Sequence, residues 1–167
     1  MNRRLYFVGA GILLLLITVA AIVSTTSKPS FKGALITPPW PAPEIKLTDQ
    51  NGKSFQMSSQ RGKVVLLFFG YTNCLDVCPL TMAHLKLAFE SLGNQAKDVQ
   101  VVMISTDPAR ETPQALKDFI EHFNPSFLGL TGSLGKLQRT WIDYGVSVER
   151  NGEAHSAYIC DRPLRKY

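Results

Sequence analysis

Cysteine is scarce in this sequence, and its main part carries no excess of charge. Three cysteines among 167 residues are too few for a disulfide scaffold, and the odd number leaves at least one outside any single pair. Four of the 18 Lys and Arg precede residue 34, which leaves 14 against 13 Asp and Glu in the remainder. Because this remainder has no basic stripe interleaved with aromatic residues, we expect no nucleic-acid partner. The hydrophobic fraction of 45% is enough for the core of one domain.

Charge is absent altogether from Leu5 to Val23, a run of 19 residues. As a helix this run would span about 28 Å, which matches one hydrocarbon core of a membrane. Arg3 and Arg4 precede it, so the positive-inside rule places the N-terminus in the cytoplasm and exports the rest of the chain. We therefore predict an uncleaved membrane anchor over residues 1–23, with a cleaved signal peptide as the alternative. The expected location is the inner membrane with the domain facing the periplasm, or the mitochondrial intermembrane space if the chain is eukaryotic.

The rest of the chain divides into a tether and one folded domain. Residues 24–43 are rich in Ser, Thr and Pro and are predicted to be extended. Residues 44–167 carry alternating strand and helix patterns: a hairpin over 44–57 that turns at Asn51-Gly52, strands over 63–69 and 99–104, helices from 79 to about 92, from 113 to about 122 and from 133 to about 144, and a hairpin over 146–160. This order predicts an α/β sandwich of the thioredoxin type.

Two of the cysteines, Cys74 and Cys78, lie between a predicted strand and a predicted helix. Pro79 suits the first turn of that helix, because its missing N–H would have no partner there. Cys78 is therefore expected near the positive end of the helix dipole, which favours a thiolate. Three residues separate the cysteines, one more than in the usual dithiol redox loop, so the sulfurs could form a redox pair or bind a soft metal ion together. A structural disulfide is disfavoured, because so short a loop would remove little chain entropy.

A copper(I) site would combine two thiolates with an imidazole, and the chain has three histidines. His84 lies six residues beyond Cys78 and is expected to point away along the helix. His122 ends an amphipathic helix, where a positive charge offsets the dipole. His155 follows a Gly-containing turn at the start of a strand, a position that can lean over a neighbouring loop. The residues alone leave His155 open between a metal ligand and an ordinary turn residue.

Asp107 and Cys160 each have two interpretations. Asp107 follows an inner strand, on the side of an α/β sheet where sites form. It is either a turn residue before Pro108 or a residue that orients the metal ligands. Cys160 falls on the opposite face of its predicted strand from His155. We therefore expect it to be a buried small apolar residue and not a third sulfur ligand.

Three segments together resemble the Sco/SenC family of membrane-anchored copper proteins: Gly70–Pro79, Asp107–Pro113 and His155-Ser156. The resemblance runs from about Pro39 to Ile159 and includes the N-terminal anchor. It implies a thioredoxin-like fold and a role in assembling the binuclear copper centre of cytochrome c oxidase. The copper-receiving subunit of that oxidase is the implied partner, with another copper chaperone or a thiol–disulfide protein as a further one.

The resemblance also implies a ligand set. One copper ion per chain would be bound by Cys74, Cys78 and His155, and Asp107 would orient or tune the site. The sequence departs from the family where Leu75 stands in place of proline and Glu111 in place of aspartate. Seven residues follow Cys160, where the family has another strand and a closing helix, so the C-terminal helix is expected to be missing.

These features predict a copper metallochaperone that passes copper to an oxidase subunit by ligand exchange. The alternative is a membrane-anchored thiol–disulfide reductase that keeps the oxidase cysteines reduced, with Cys74 and Cys78 as its catalytic redox pair. The protein is expected to be an enzyme only in that second case, or if it has a peroxidase-like activity, which is a third hypothesis.

Overall fold

The protein is described by a computed structural model at residues 7, 9, 11–19, 36–150 and 158–161, with the backbone alone at 149, 150 and 158–161. The chain divides into two units between Trp40 and Pro41, close to the predicted start of the domain at residue 44. In the first unit the structure is helical at 7, 9 and 11–19. No helix in the described part of the chain is long and apolar enough to cross a membrane. Part of the segment 1–23 lies outside that part, and the anchor stays a prediction.

The second unit is built on a five-stranded sheet. Its strands in chain order are β1 (Lys46–Asp49), β2 (Ser54–Gln56), β3 (Val64–Gly70), β4 (Val99–Ser105) and β5 (Leu128–Thr131). They are arranged in the order β2-β1-β5-β4-β3. Strands β3, β4 and β5 are parallel, and β1 is antiparallel to both β2 and β5. The predicted first hairpin is confirmed, and its turn contains Gly52 at a φ of 77°, a left-handed conformation that glycine adopts without strain.

Within residues 41–150, three α-helices flank this sheet: α1 (Val77–Ser91), α2 (Pro113–Phe123) and α3 (Leu134–Asp143). Helix α2 begins as predicted, because the Thr112 hydroxyl oxygen accepts the Ala115 N–H at 3.1 Å and a proline follows Thr112. Helix α1 begins at Val77, two residues before the proline that was expected to open it. Pro79 still lies in the first turn, where its missing N–H leaves no hydrogen bond unmade.

Two hydrophobic cores lie on opposite sides of the sheet. Strand β4 contributes side chains to both, because successive strand residues point to opposite sides. One core joins Val102 and Ile104 of β4 to Leu137 and Trp141 of α3. The other joins Val101 and Met103 of β4 to Met82 of α1 and Ile120 of α2. The continuous apolar run of β4 is thus explained by burial on both faces. The predicted α/β sandwich is confirmed, with α1 and α2 on one side and α3 on the other.

The sequence patterns do not predict β5. It has only four residues and contains Gly129, and a glycine among so few apolar residues is more typical of a turn. The structure shows why glycine is there: a Cβ added at Gly129 would lie 2.9 Å from Cγ1 of Ile120. The absent side chain therefore lets α2 pack closely against the sheet.

Two further strands, β6 (Ser147–Arg150) and β7 (Tyr158–Asp161), form a separate antiparallel pair. Val148 lies opposite Cys160 in this pair. The predicted second hairpin is confirmed in its strands, and the predicted start of the second strand at His155 lies outside the described residues. The predicted turn at Asn151-Gly152 lies outside the described residues.

Candidate metal centre

The two loops that carry the predicted site meet at the carboxyl edge of the sheet. Because β3 and β4 are parallel with Gly70 opposite Ser105, both strands end at this edge. The Thr106 N–H donates to the Gly70 carbonyl at 2.9 Å and continues the pairing into the loops. A Cβ added at Gly70 would lie 3.1 Å from Cys78 Sγ. Glycine at the end of β3 therefore allows the first turn of α1 to pack directly on the strand.

Cys74 and Cys78 are present as two separate thiols at the start of α1. The backbone N–H of Cys78, the second residue of the helix, donates to Cys74 Sγ at 3.3 Å. The sulfur of Cys74 thus takes the place of an N-cap side chain, while Asp76 at the N-cap position makes no side-chain capping bond. Cys78 is 6% exposed and Cys74 is half-buried, so only Cys74 is readily accessible from solvent.

The environment of Cys74 favours its thiolate. Partial burial acts to raise the pKa of the Cys74 thiol, but hydrogen bonds outweigh this effect and lower the pKa below its ordinary value. The Cys78 thiol and its backbone N–H contribute most, followed by the Asp76 backbone and the Tyr71 hydroxyl. A thiolate is the form that both metal binding and thiol exchange require. The thiolate predicted at Cys78 from the helix dipole stays a prediction, and the lowered pKa is at Cys74, where it arises from hydrogen bonding.

The contribution of Tyr71 can be tested by the substitution Tyr71→Phe. Tyr71 is almost completely buried, and the substitution removes only the hydroxyl that donates to Cys74 Sγ. Because that bond stabilises the charged form, its loss is expected to raise the pKa of Cys74. A fully formed hydrogen bond to a charged group contributes about 1.5–3 kcal/mol, and the Tyr71 bond is the weakest of those that lower the pKa of Cys74, so the alkylation rate at neutral pH should fall by no more than about tenfold. The measurement is the rate of iodoacetamide labelling against pH; a profile identical to the parent's would contradict this role.

Asp107 lies in the neighbouring loop and is fully buried. Its carboxylate forms an ion pair with the guanidinium of Arg110. Its N–H donates to Ser105 Oγ at 3.1 Å, and its carbonyl accepts the N–H groups of Arg110 at 3.2 Å and Glu111 at 3.1 Å. These contacts show the turn role that was one of its two predicted interpretations. Its role in orienting the metal ligands stays a prediction.

Glu111 joins this loop to the cysteine loop. Its side chain is buried, and Oε1 accepts the backbone N–H of Thr72, two residues before Cys74. Burial raises the pKa of Glu111, and the nearby charge of Asp107 adds to this, whereas hydrogen bonds from Ser105 and Thr72 act in the opposite direction. The carboxyl group is therefore an internal connection between the two sequence motifs.

The structure describes two of the three histidines that were considered as metal ligands. His84 is exposed on α1, as predicted, and His122 is exposed in the last turn of α2. His155 and the side chain of Cys160 lie outside the described residues. Within the described part of the chain, no group of three or more His, Cys, Asp and Glu is placed to hold a metal ion. That part therefore contains the two cysteines predicted as sulfur ligands, and the whole ligand set stays a prediction.

Two residues of the site, Tyr71 and Glu111, are not identified as functional from the sequence. Tyr71 stands inside the segment Gly70–Pro79 that carries the two cysteines, and Glu111 stands inside the motif that begins at Asp107. The one sequence signal at Glu111 is that its carboxylate comes just before a helix N-cap and a proline. A carboxylate at such a place is also typical of an exposed first turn, so the signal does not indicate a buried functional residue. Burial of both side chains depends on how the two loops meet in space.

A protein-family model described as SCO1/SenC matches residues 41–164 of this chain. A SCO2-like protein of Rickettsia felis is 39% identical over 111 residues, which cover 66% of this chain and 54% of that protein. The structure of ScoI from Bradyrhizobium japonicum with copper bound is 34% identical, with a TM-score of 0.66 over 72% of this chain and 76% of that one. BsSco, in which a disulfide switch was identified and which is called a member of the Sco family of cytochrome c oxidase assembly proteins, is 27% identical, with a TM-score of 0.53 over 61% and 62%.

The chain spans about half the length of the curated relatives it matches. The family model nevertheless covers both loops of the site, from the cysteine motif to the motif that begins at Asp107. The solved structures share the α/β architecture on which these loops are mounted. By sequence and by fold, this chain belongs to the SCO1/SenC family.

Proposed function

We propose that this protein is a copper metallochaperone that binds one copper ion per chain through Cys74, Cys78 and His155. The observation that carries the proposal is the pair of thiols at the start of α1, where the Cys78 N–H donates to Cys74 Sγ at 3.3 Å. This arrangement presents two sulfur atoms from one short loop, and soft sulfur donors select copper(I). The copper-bound ScoI structure, from a protein of the same fold, supports the choice of ion.

The unequal exposure of the two sulfurs suits transfer by ligand exchange. Cys78 is buried against Gly70, whereas Cys74 is half-buried and can be approached by an incoming ligand. A partner's thiolate would first replace Cys74, while Cys78 still holds the ion on the chaperone. Binding releases the protons of the thiols, so a lowered pKa at Cys74 favours loading at neutral pH.

The partner and location in this proposal follow from the family. We propose that the receiving protein is the copper-binding subunit of cytochrome c oxidase, for which the description of BsSco as belonging to a family of oxidase assembly proteins is the support. Residues 1–23 would anchor the chain in the inner membrane, and residues 24–43 would hold the domain on its outer side. The absence of charge from Leu5 to Val23 supports this placement.

Copper titration of single cysteine variants tests the proposal. The parent is expected to bind one copper(I) per chain in competition with a chelator of known affinity. Cys74→Ala and Cys78→Ala should each lower the affinity by more than about 100-fold, because even the loss of a residue behind the ligands typically lowers metal affinity 10–100-fold. Cys160→Ala is the matched control and should retain the parent affinity. Parent-like binding by either of the first two variants would refute the proposed ligand set.

A second candidate is a thiol–disulfide reductase, favoured by the accessible Cys74 thiol with its lowered pKa. In this case the Cys74 thiolate attacks a disulfide of the partner and forms a mixed disulfide, while the partner's other sulfur leaves as a thiolate. The Cys78 thiolate then attacks Cys74 Sγ and releases the reduced partner. The cysteine pair loses the two electrons that the partner gains. The disulfide switch identified in BsSco is a property of that protein which supports this alternative here.

A further inference from the structure

Glu111 is a buried acidic side chain that none of the proposed ligand or redox steps uses. Only 5% of its surface is exposed, and its Oε2 is buried without a hydrogen-bond partner. Leaving a buried carboxyl oxygen unpaired is unfavourable, so the burial of Glu111 calls for a role. The other oxygen, Oε1, supplies that role by accepting the backbone N–H of Thr72.

We infer that Glu111 is a positioning residue that holds the cysteine loop by accepting the Thr72 N–H, and thereby places Tyr71 and Cys74 for their mutual hydrogen bond. Thr72 follows Tyr71, the first residue after β3, and lies inside the turn that leads to Cys74. The turn is closed by a backbone hydrogen bond in which the Cys74 N–H donates to the Tyr71 carbonyl at 3.3 Å. The hydrogen bond from the Thr72 N–H to Glu111 Oε1 therefore fixes this turn to the neighbouring loop.

Glu111 itself is held in place by its backbone and by the helix that follows it. Glu111 directly precedes the Thr112 N-cap of α2, and its own N–H donates to the Asp107 carbonyl at 3.1 Å. Helix α2 is held in turn by Leu116 and Ile120, both fully buried. The carboxyl group thus transmits the position of a packed helix to the cysteine loop.

At position 111, the length of the side chain and its capacity to accept a hydrogen bond should therefore matter more than its charge. Burial of the carboxyl raises the pKa of Glu111, so the neutral form is already favoured relative to a solvent-exposed glutamate. Glutamine is a neutral group of the same length with an oxygen that can accept the Thr72 N–H. Aspartate keeps the carboxyl but is one methylene shorter, and its oxygen would fall short of Thr72.

The test compares Glu111→Gln, Glu111→Asp and Glu111→Ala in the full chain, by iodoacetamide labelling of Cys74 against pH. Mass spectrometry of the Cys74 peptide separates it from Cys78 and Cys160. We expect the alanine and aspartate variants to label Cys74 at least about threefold more slowly at neutral pH, because the loosened turn weakens the bonds that favour the thiolate. The glutamine variant should retain the parent profile. Glu121→Ala, an exposed glutamate of α2, is the matched control and should also be unchanged.

This inference deepens the proposed function but is tested without copper, so the failure of one does not imply the failure of the other. Circular dichroism establishes that each variant is folded. A folded alanine variant with the parent profile would overturn the inference. If the alanine variant does not fold, the comparison of aspartate with glutamine decides: a shifted aspartate profile and a parent-like glutamine profile support positioning by length. A parent-like aspartate profile with a shifted glutamine profile would show that charge matters instead, and would also overturn it.

Discussion

His155→Ala is expected to lower copper(I) affinity by more than about 100-fold while leaving the thiol chemistry of Cys74 and Cys78 unchanged. The reason is that an imidazole ligand contributes directly to the metal, whereas a dithiol pair exchanges with disulfides without it. Changes to residues behind metal ligands already lower affinity 10–100-fold, so the loss of a ligand should exceed that range. The two measurements are a competition titration with copper(I) and the rate of exchange with an oxidised partner peptide.

This pair of measurements separates the two candidate functions. In the metallochaperone the affinity falls and the exchange rate is unaffected. If His155→Ala binds copper as tightly as the parent, the three-ligand site is wrong and the reductase becomes the better hypothesis. His122→Ala is the matched control, because His122 is exposed in the last turn of α2 and is not assigned to the site. That control should leave both measurements at their parent values.

Phe127→Ala is expected to have the largest effect on stability, lowering the free energy of unfolding by about 3–5 kcal/mol. Phe127 is fully buried. Its ring meets that of Phe89 edge-on, with centroids 5.3 Å apart and an interplanar angle of 88°. Phe127 belongs to the same core as Met82 of α1, the helix that carries Cys78. Truncation would leave a cavity under the helix that positions the site.

Urea denaturation of the parent and the variant measures this effect. Leu87→Ala is the control, because Leu87 lies on α1 with 62% of its surface exposed and its truncation should change the unfolding free energy by no more than about 0.5 kcal/mol. A Phe127→Ala variant within about 1 kcal/mol of the parent would show that the core closes around the missing ring more completely than close packing allows.

Local patterns in the sequence were sufficient for most of the secondary structure. The positions of β3 and β4, the turn at Gly52 and the Thr112-Pro113 start of α2 each depend on neighbouring residues, and each was confirmed. The apolar run of β3 also predicts burial on both faces, which is wrong because β3 is an edge strand with Val64 and Leu66 exposed. The start of α1 was placed two residues late, because proline marks a first turn without specifying its first residue. Strand β5 was not predicted, because Gly129 is typical of a turn. Its reason in β5 is close packing against α2, which is a tertiary contact and leaves no local sequence pattern.

The cysteine motif by itself determined that two thiols would stand at the start of a helix, since spacing and the change from strand to helix period are local properties. Tertiary structure decided what surrounds them. Parallel pairing of β3 with β4 brings Thr72 and Glu111, which are 39 positions apart in the chain, together at one edge of the sheet. It also decided that Cys74 is accessible and that Cys78 is buried. Such contacts depend on strand order and burial, which are set by packing of the whole domain and not by the residues next to each cysteine.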